Sequence, residues 1–216
     1  MASDRSYPAS ACQLLMFSRY PEPGHTKTRL IPHLGPEGAA ALQRHMTEHV
    51  LRRVTAAAQR LPLAITVHFS GGTQSQMQAW LGADVTCYPQ AMGSLGDRLG
   101  AAFQQSFDQG YSSAIAIGSD CPALDYGHLA AALASLTRVD VVLGPATDGG
   151  YYLIGLGRPE LALFHAIDWG TDRVLTQTLA VAASQGLSVE LLSPLTDIDR
   201  PEDLPQWEQI LAAPLE

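Results

Sequence analysis

The chain has no run of eighteen or more apolar residues, so it offers no candidate membrane-spanning helix. It has only three cysteines, Cys12, Cys87 and Cys121, an odd number without metal-site spacing. That excludes a disulfide framework and fits a reduced, cytoplasmic protein. Positive charge is scarce, with 13 Lys and Arg against 21 Asp and Glu in 216 residues, a net charge of −8. Nucleic-acid affinity rests on neutralising phosphates with Lys and Arg, so no nucleic-acid partner is expected. Residues 1–10 lack the apolar segment of a signal peptide and read as a flexible leader.

What is present suits one domain over residues 11–216, since 46% hydrophobic residues allow a sizeable core. Apolar runs at 13–17, 63–69, 84–88, 113–117, 140–143, 151–156 and 187–191 read as strands. Helical patterns fall between them at 35–60, 74–81, 94–109, 126–136 and 171–184, with a closing helix at 201–211 whose first turn holds a proline. This alternation predicts an α/β fold with a mostly parallel sheet covered on both faces. No internal repeat or linker interrupts it.

In such a sheet, ligands bind just beyond the carboxyl ends of the strands. The run Ile115-Ala116-Ile117 ends in Gly118-Ser119-Asp120-Cys121-Pro122, so Asp120 stands where a hard oxygen ligand for Mg²⁺ or Mn²⁺ is useful. The same carboxylate could instead cap the next helix. The loop after the first strand gathers Arg19, Lys27 and Arg29 in an otherwise acidic chain, and these cations suit a polyphosphate. Gly24-His-Thr-Lys27-Thr28 lacks the remaining glycines of a P-loop, and that assignment is rejected.

Asp148-Gly149-Gly150 permits close approach of backbone to a ligand, although a plain turn accounts for it equally well. Asp197 and Asp199 alternate on extended chain and can face one cation, while Asp199 can also serve as the N-cap of the closing helix. Cys121 has no histidine near it in sequence and reads as a small packed residue. His45-Met-Thr-Glu-His49 matches the H-x-x-E-H pattern of zinc proteases, a second function class. Both histidines lie at the margin of the apolar stripe, and no motif supplies a third ligand.

Taken together, Phe17–Leu30, Gln90–Arg98, Gly118–Pro122, Gly144–Tyr152, Asp168–Thr171 and Asp197–Leu204 resemble a bacterial family of the nucleotide-diphospho-sugar transferase (GT-A) superfamily. Its members are usually labelled glycosyltransferases and are similar to the 2-phospho-lactate guanylyltransferases. The resemblance implies a single GT-A domain, a three-layer α/β/α unit with a mostly parallel mixed sheet. It implies nucleotide and phosphate binding by Arg19, Gly24, Lys27, Arg29, Gly93 and Arg98. Metal binding falls to Asp120 with Asp197 or Asp199, and an acceptor side to Asp148, Gly149, Gly150 and Trp169. Lys27, Asp120 and Asp148 are the expected catalytic residues.

Two departures stand out: no Gly-x-Gly follows the first strand, and a single Asp120 replaces the fuller Asp-x-Asp of many glycosyltransferases. The expected activity is Mg²⁺- or Mn²⁺-dependent nucleotidyl transfer from a nucleoside triphosphate to a phosphorylated small-molecule acceptor. Glycosyl transfer from a nucleotide sugar is the alternative on the same fold. A nucleotide-binding regulator is the non-enzymatic one, and a homodimer is a compatible assembly.

Overall fold

A computed structural model describes residues 12–212, and the proposed leader at 1–10 lies outside them. The described residues form seven strands: β1 (Cys12–Arg19), β2 (Leu63–Ser70), β3 (Cys87–Pro89), β4 (Ser113–Gly118), β5 (Val141–Pro145), β6 (Tyr151–Leu156) and β7 (Val189–Leu191). Six α-helices accompany them: α1 (Ile31–Ala57), α2 (Gln74–Leu81), α3 (Leu95–Asp108), α4 (Tyr126–Ser135), α5 (Val174–Ser184) and α6 (Leu204–Ala212). The strand order is β3-β2-β1-β4-β6-β5-β7. Every pairing is parallel except those of β6, which runs antiparallel to both β4 and β5. The expected mostly parallel mixed sheet is therefore present.

Strand side chains alternate between two apolar layers, as a period of two requires. Leu14, Met16, Ile115 and Ile117 point to the layer built with Val50, Val54, Met77 and Leu129 from α1, α2 and α4. Leu15, Ala114 and Ala116 point to the opposite layer, where α3 supplies Leu99 and Phe103. The alanines of β4 leave room there for the Phe103 ring, itself stacked on Phe164 at 5.4 Å. A satellite cluster of Leu30, Ala39, Leu42, Met46, Ile198 and Trp207 clamps the end of the chain onto α1.

Several boundaries depart from the sequence reading. α1 begins at Ile31 rather than 35, with a break at Gly35, whose φ of 71° is readily reached only without a Cβ. β3 keeps only the last part of the expected strand, and α5 starts three residues later than expected because Thr171 closes a turn onto the Asp168 carbonyl. The closing helix opens as a 3₁₀ turn at Pro201–Asp203. Asp199 is not its N-cap. The Asp203 carboxylate accepts from the backbone N–H of Asp199 and Arg200 and satisfies the helix start from within.

A buried polar chain joins the elements around β4. Gln43 Nε2 of α1 donates to Thr47 Oγ1 at 3.1 Å and to Ser119 Oγ at 3.2 Å, and Thr47 Oγ1 lies 3.0 Å from Ser18 Oγ. It ties the end of β1 and the turn after β4 to one helix. Gln43→Leu should cost about 1–3 kcal/mol, because buried hydroxyls lose a partner. Urea denaturation measures this, and an unchanged midpoint would show that the amide is dispensable.

Candidate active site

The loop after β1 and the turn after β4 emerge side by side at the carboxyl end of the parallel strands. Between them sits Lys27, in the left-handed region at φ 47° and only 8% exposed. Its ammonium lies 2.8 Å from Asp120 Oδ1, donates to the Ile198 carbonyl at 2.5 Å, and stands 3.9 Å from Asp199 Oδ1. Ile198 N–H in turn donates to the Asp120 carbonyl at 2.8 Å. Three stretches far apart in sequence are thus pinned to one buried cation. A buried charge is tolerated only with such partners, and a left-handed non-glycine residue costs about 1–2 kcal/mol.

Beside this knot opens a cleft of about 390 Å³. Arg29, Asp120, Asp148, Asp197 and Asp199 form its polar wall, and Phe17, Leu95, Leu99, Ile154, Trp169 and Val174 its apolar wall. Arg29 is ion-paired with Asp199. Asp148 is exposed, and its Oδ1 accepts from Gly150 N–H at 2.9 Å. Gly149 holds φ 92°, and a Cβ there would lie 2.3 Å from the Asp172 carbonyl oxygen, so only glycine lets this turn meet the segment before α5. Trp169 meets Tyr151 edge to face at 6.2 Å.

Of the expected site residues, Arg29, Asp120, Asp148, Gly150, Trp169, Asp197 and Asp199 line one cleft, with Gly149 in the turn beside it. Lys27 lies behind its wall. Arg19, Gly24, Gly93 and Arg98 are outside it: Arg19 donates to the His25 carbonyl, and Arg98 to the Gly93 carbonyl and Gln90. Apart from Trp169, the apolar wall went unnoticed in the sequence, although Leu95 and Leu99 belong to the stripe of α3 and Phe17 lies near the end of β1. The zinc-protease pattern dissolves. His45 is exposed, whereas His49 is buried edge to face on Trp207 at 5.5 Å rather than marginal.

The carboxylates crowd one another. Burial, together with the charges of Asp148 and Asp120, raises the Asp197 carboxyl to about 6, against the opposing pull of the Cys121 thiol and Lys27. Cys121 is packed, as expected, and its Sγ also donates to Asp197 Oδ1 at 2.6 Å. Burial and the neighbouring Asp197 push that thiol far above its ordinary range, so it is no nucleophile. Among the described residues, no group of three or more His, Cys, Asp or Glu is arranged to hold a metal ion. Mg²⁺, however, commonly takes one or two carboxylates and completes its shell with substrate phosphate and water. The half-buried Asp120 and Asp197 pair suits that mode.

A doubly covered sheet with a carboxylate and cation site at its carboxyl edge is the architecture of a nucleotide-diphospho-sugar transferase-like enzyme, and the comparisons agree on a transferase. The chain belongs to the family described as uncharacterized protein conserved in bacteria (DUF2064), whose model matches residues 51–171. A solved structure from Desulfovibrio desulfuricans G20, named as a candidate nucleotide-diphospho-sugar transferase, is 34% identical, with a TM-score of 0.82 over 88% of this chain and 83% of that one.

Two further structures share the fold at low identity. CMP:2-keto-3-deoxy-manno-octonic acid synthetase complexed with CTP is 12% identical, with a TM-score of 0.60 over 94% of this chain and 99% of that one. The 4-diphosphocytidyl-2C-methyl-D-erythritol synthase of Anaerococcus prevotii DSM 20548 is 8% identical, with a TM-score of 0.64 over 95% of this chain and all of that one, 100%. No curated protein matches the sequence. No helix among the described residues is long and apolar enough to cross a membrane.

Asp197 makes stability depend on pH with a definite sign. Its folded-state pKa of about 6 lies above the ordinary 3.8, so the native state keeps a proton that the unfolded chain has already lost. Stability from this group therefore falls as pH rises between those values, and the full penalty stands above pH 6. Asp197→Asn should raise Tm at pH 8, at roughly 2–4 °C per kcal/mol relieved, with little gain at pH 4. An equal gain at both values would contradict the assignment.

Proposed function

We propose that the protein is a divalent-metal-dependent nucleotidyltransferase that joins a nucleoside triphosphate to a phosphorylated small molecule. The observation that carries this reading is the Lys27–Asp120–Ile198 knot, which sets one carboxylate at the carboxyl end of β4 beside the cation-bearing loop after β1. A phosphate oxygen of the acceptor attacks the α-phosphorus in line, the bond to the bridging oxygen of the β-phosphate breaks, and pyrophosphate leaves. No covalent enzyme intermediate is needed.

Asp120 and Asp197 would hold Mg²⁺ or Mn²⁺, which supplies charge neutralisation to the phosphate oxygens. Lys27 orients Asp120 and compensates part of the carboxylate charge. Arg29, more than half exposed on the cleft wall, is free to leave Asp199 for the departing phosphates. Asp148, Gly149, Gly150 and Trp169 face the acceptor, with Phe17, Leu95, Leu99 and Val174 excluding water beside it.

Transfer of a sugar from a nucleotide sugar is the second reading. It is favoured by the exposed Asp148 carboxylate, available as a base on the cleft wall, and by the description attached to the 34% identical relative.

A thermal-shift series of nucleoside triphosphates and nucleotide sugars, each with and without Mg²⁺, separates the two. A ligand at about 100 times its Kd adds roughly 2.7 kcal/mol, or about 5–10 °C in a domain of this size. A Mg²⁺-dependent shift with one triphosphate supports nucleotidyl transfer and names the base. A shift with nucleotide sugars alone supports the second reading.

Asp120→Asn, whose amide oxygen can still accept from Lys27, should lower turnover on the order of 10² or more in protein that circular dichroism shows to be folded, by loss of one preorganised electrostatic contact. Undiminished turnover would remove Asp120 from the site. Lys27→Met should weaken triphosphate binding by releasing Asp120, and a wild-type affinity in the folded variant would break the link between the knot and the nucleotide.

A further inference from the structure

On the α1 side of the sheet, away from the cleft, a second cavity of about 550 Å³ opens between the end of α1 and the start of α4. Its walls are Arg52, Arg53, Ala56, Ala57 and Arg60 of α1 and its end, with Asp125, Tyr126 and Gly127 opposite, and it shares no residue with the cleft. Three of the chain's 13 basic residues meet here, in a protein of net charge −8. Other arginines on the surface, such as Arg138, Arg158 and Arg173, are engaged with carboxylates. Among the described residues, Arg52, Arg53 and Arg60 have no ion pair within 4.0 Å.

We infer that this cavity binds the phosphoryl group of a small molecule. Three guanidinium groups of one sign on a common wall repel one another and find relief in a multiply charged anion. The Arg60 guanidinium lies 4.2 Å from the centre of the Tyr126 ring. Packing over the ring fixes its plane while leaving the N–H edge free to fork onto phosphate oxygens. The wall contains one carboxylate, Asp125, and its Oδ1 is already turned onto His128, accepting from the backbone N–H at 3.1 Å and lying 2.6 Å from Nδ1. The negative charge in the wall thus has a close partner of its own; Arg53 acts on it only at longer range, and none of the three arginines is ion-paired. The volume exceeds a bare phosphate and falls within the range of small-molecule sites, about 300–1,000 Å³. The inference is independent of the reaction assigned to the cleft.

The test is a titration of the metal-free, full-length protein with inorganic phosphate, pyrophosphate and a nucleoside triphosphate. Binding is followed by calorimetry and by the arginine Nε–Hε resonances. Saturable shifts of the Arg52, Arg53 and Arg60 resonances are expected. Arg53→Ala and Arg60→Ala should each weaken that binding about tenfold or more, whereas Arg29→Ala in the cleft should leave it intact. The strongest of the three probes indicates whether the phosphoryl group comes free, as a diphosphate or on a nucleoside. Unshifted or non-saturating resonances would overturn the inference. So would an affinity insensitive to Arg53→Ala and Arg60→Ala, or one lost in Arg29→Ala, which would assign the anion to the cleft.

Discussion

The whole site depends on one buried ammonium. Lys27 sits where the chain is left-handed and nearly solvent-free, both unfavourable for lysine, and it is held there by Asp120 and the carbonyl of Ile198. Removing either partner would leave an uncompensated charge in a low-dielectric setting, a strongly destabilising change. Such a pair adds little net stability compared with apolar packing. Its contribution is positional, since it fixes one oxygen of Asp120 and leaves the carboxylate facing the cleft.

The knot is also long-range. Lys27 and Ile198 are 171 positions apart, so the site cannot form until the two ends of the domain meet. The satellite cluster makes that meeting stable: Ile198 is fully buried beside Leu30 and Met46, and Trp207 of α6 packs on His49. The histidine that completes the H-x-x-E-H pattern thus serves by holding the closing helix in place. The backbone of Ile198 then binds Asp120 and Lys27 at once, through its N–H and its carbonyl.

Much of this was legible in the residues. The strands stood out as apolar runs and the helices as 3.6-residue patterns between them, and the Asp120 turn followed one of those runs. Asp148 and the Asp197/Asp199 pair were likewise recognisable, and the cleft brings them together. Lys27 was legible as a cation but not as a buried one, because burial came from a carbonyl and a carboxylate distant in sequence. Asp203, and not the expected Asp199, caps the last helix, because the 3₁₀ turn at Pro201 brings its carboxylate onto the backbone N–H groups of Asp199 and Arg200. Apart from Trp169, the apolar wall escaped because Phe17, Leu95, Leu99 and Val174 come from three separate elements, and nothing in the spacing of each brings them together.

The two walls of the cleft divide the labour of any group transfer. Four carboxylates on one side would repel a polyphosphate if they stood alone. Lys27 and Arg29 offset only part of that charge, and burial, with the neighbouring carboxylates adding to it, raises the Asp197 carboxyl. The remaining excess of negative charge favours binding a cation together with the phosphates, rather than either by itself. On the other side, aromatic and aliphatic residues lower the local dielectric and strengthen each contact across the gap. On the proposed reading, an acceptor would meet charge on one side and dryness on the other. On that reading a triphosphate arriving without a metal ion would face the carboxylates uncompensated, so metal and nucleotide are expected to bind together.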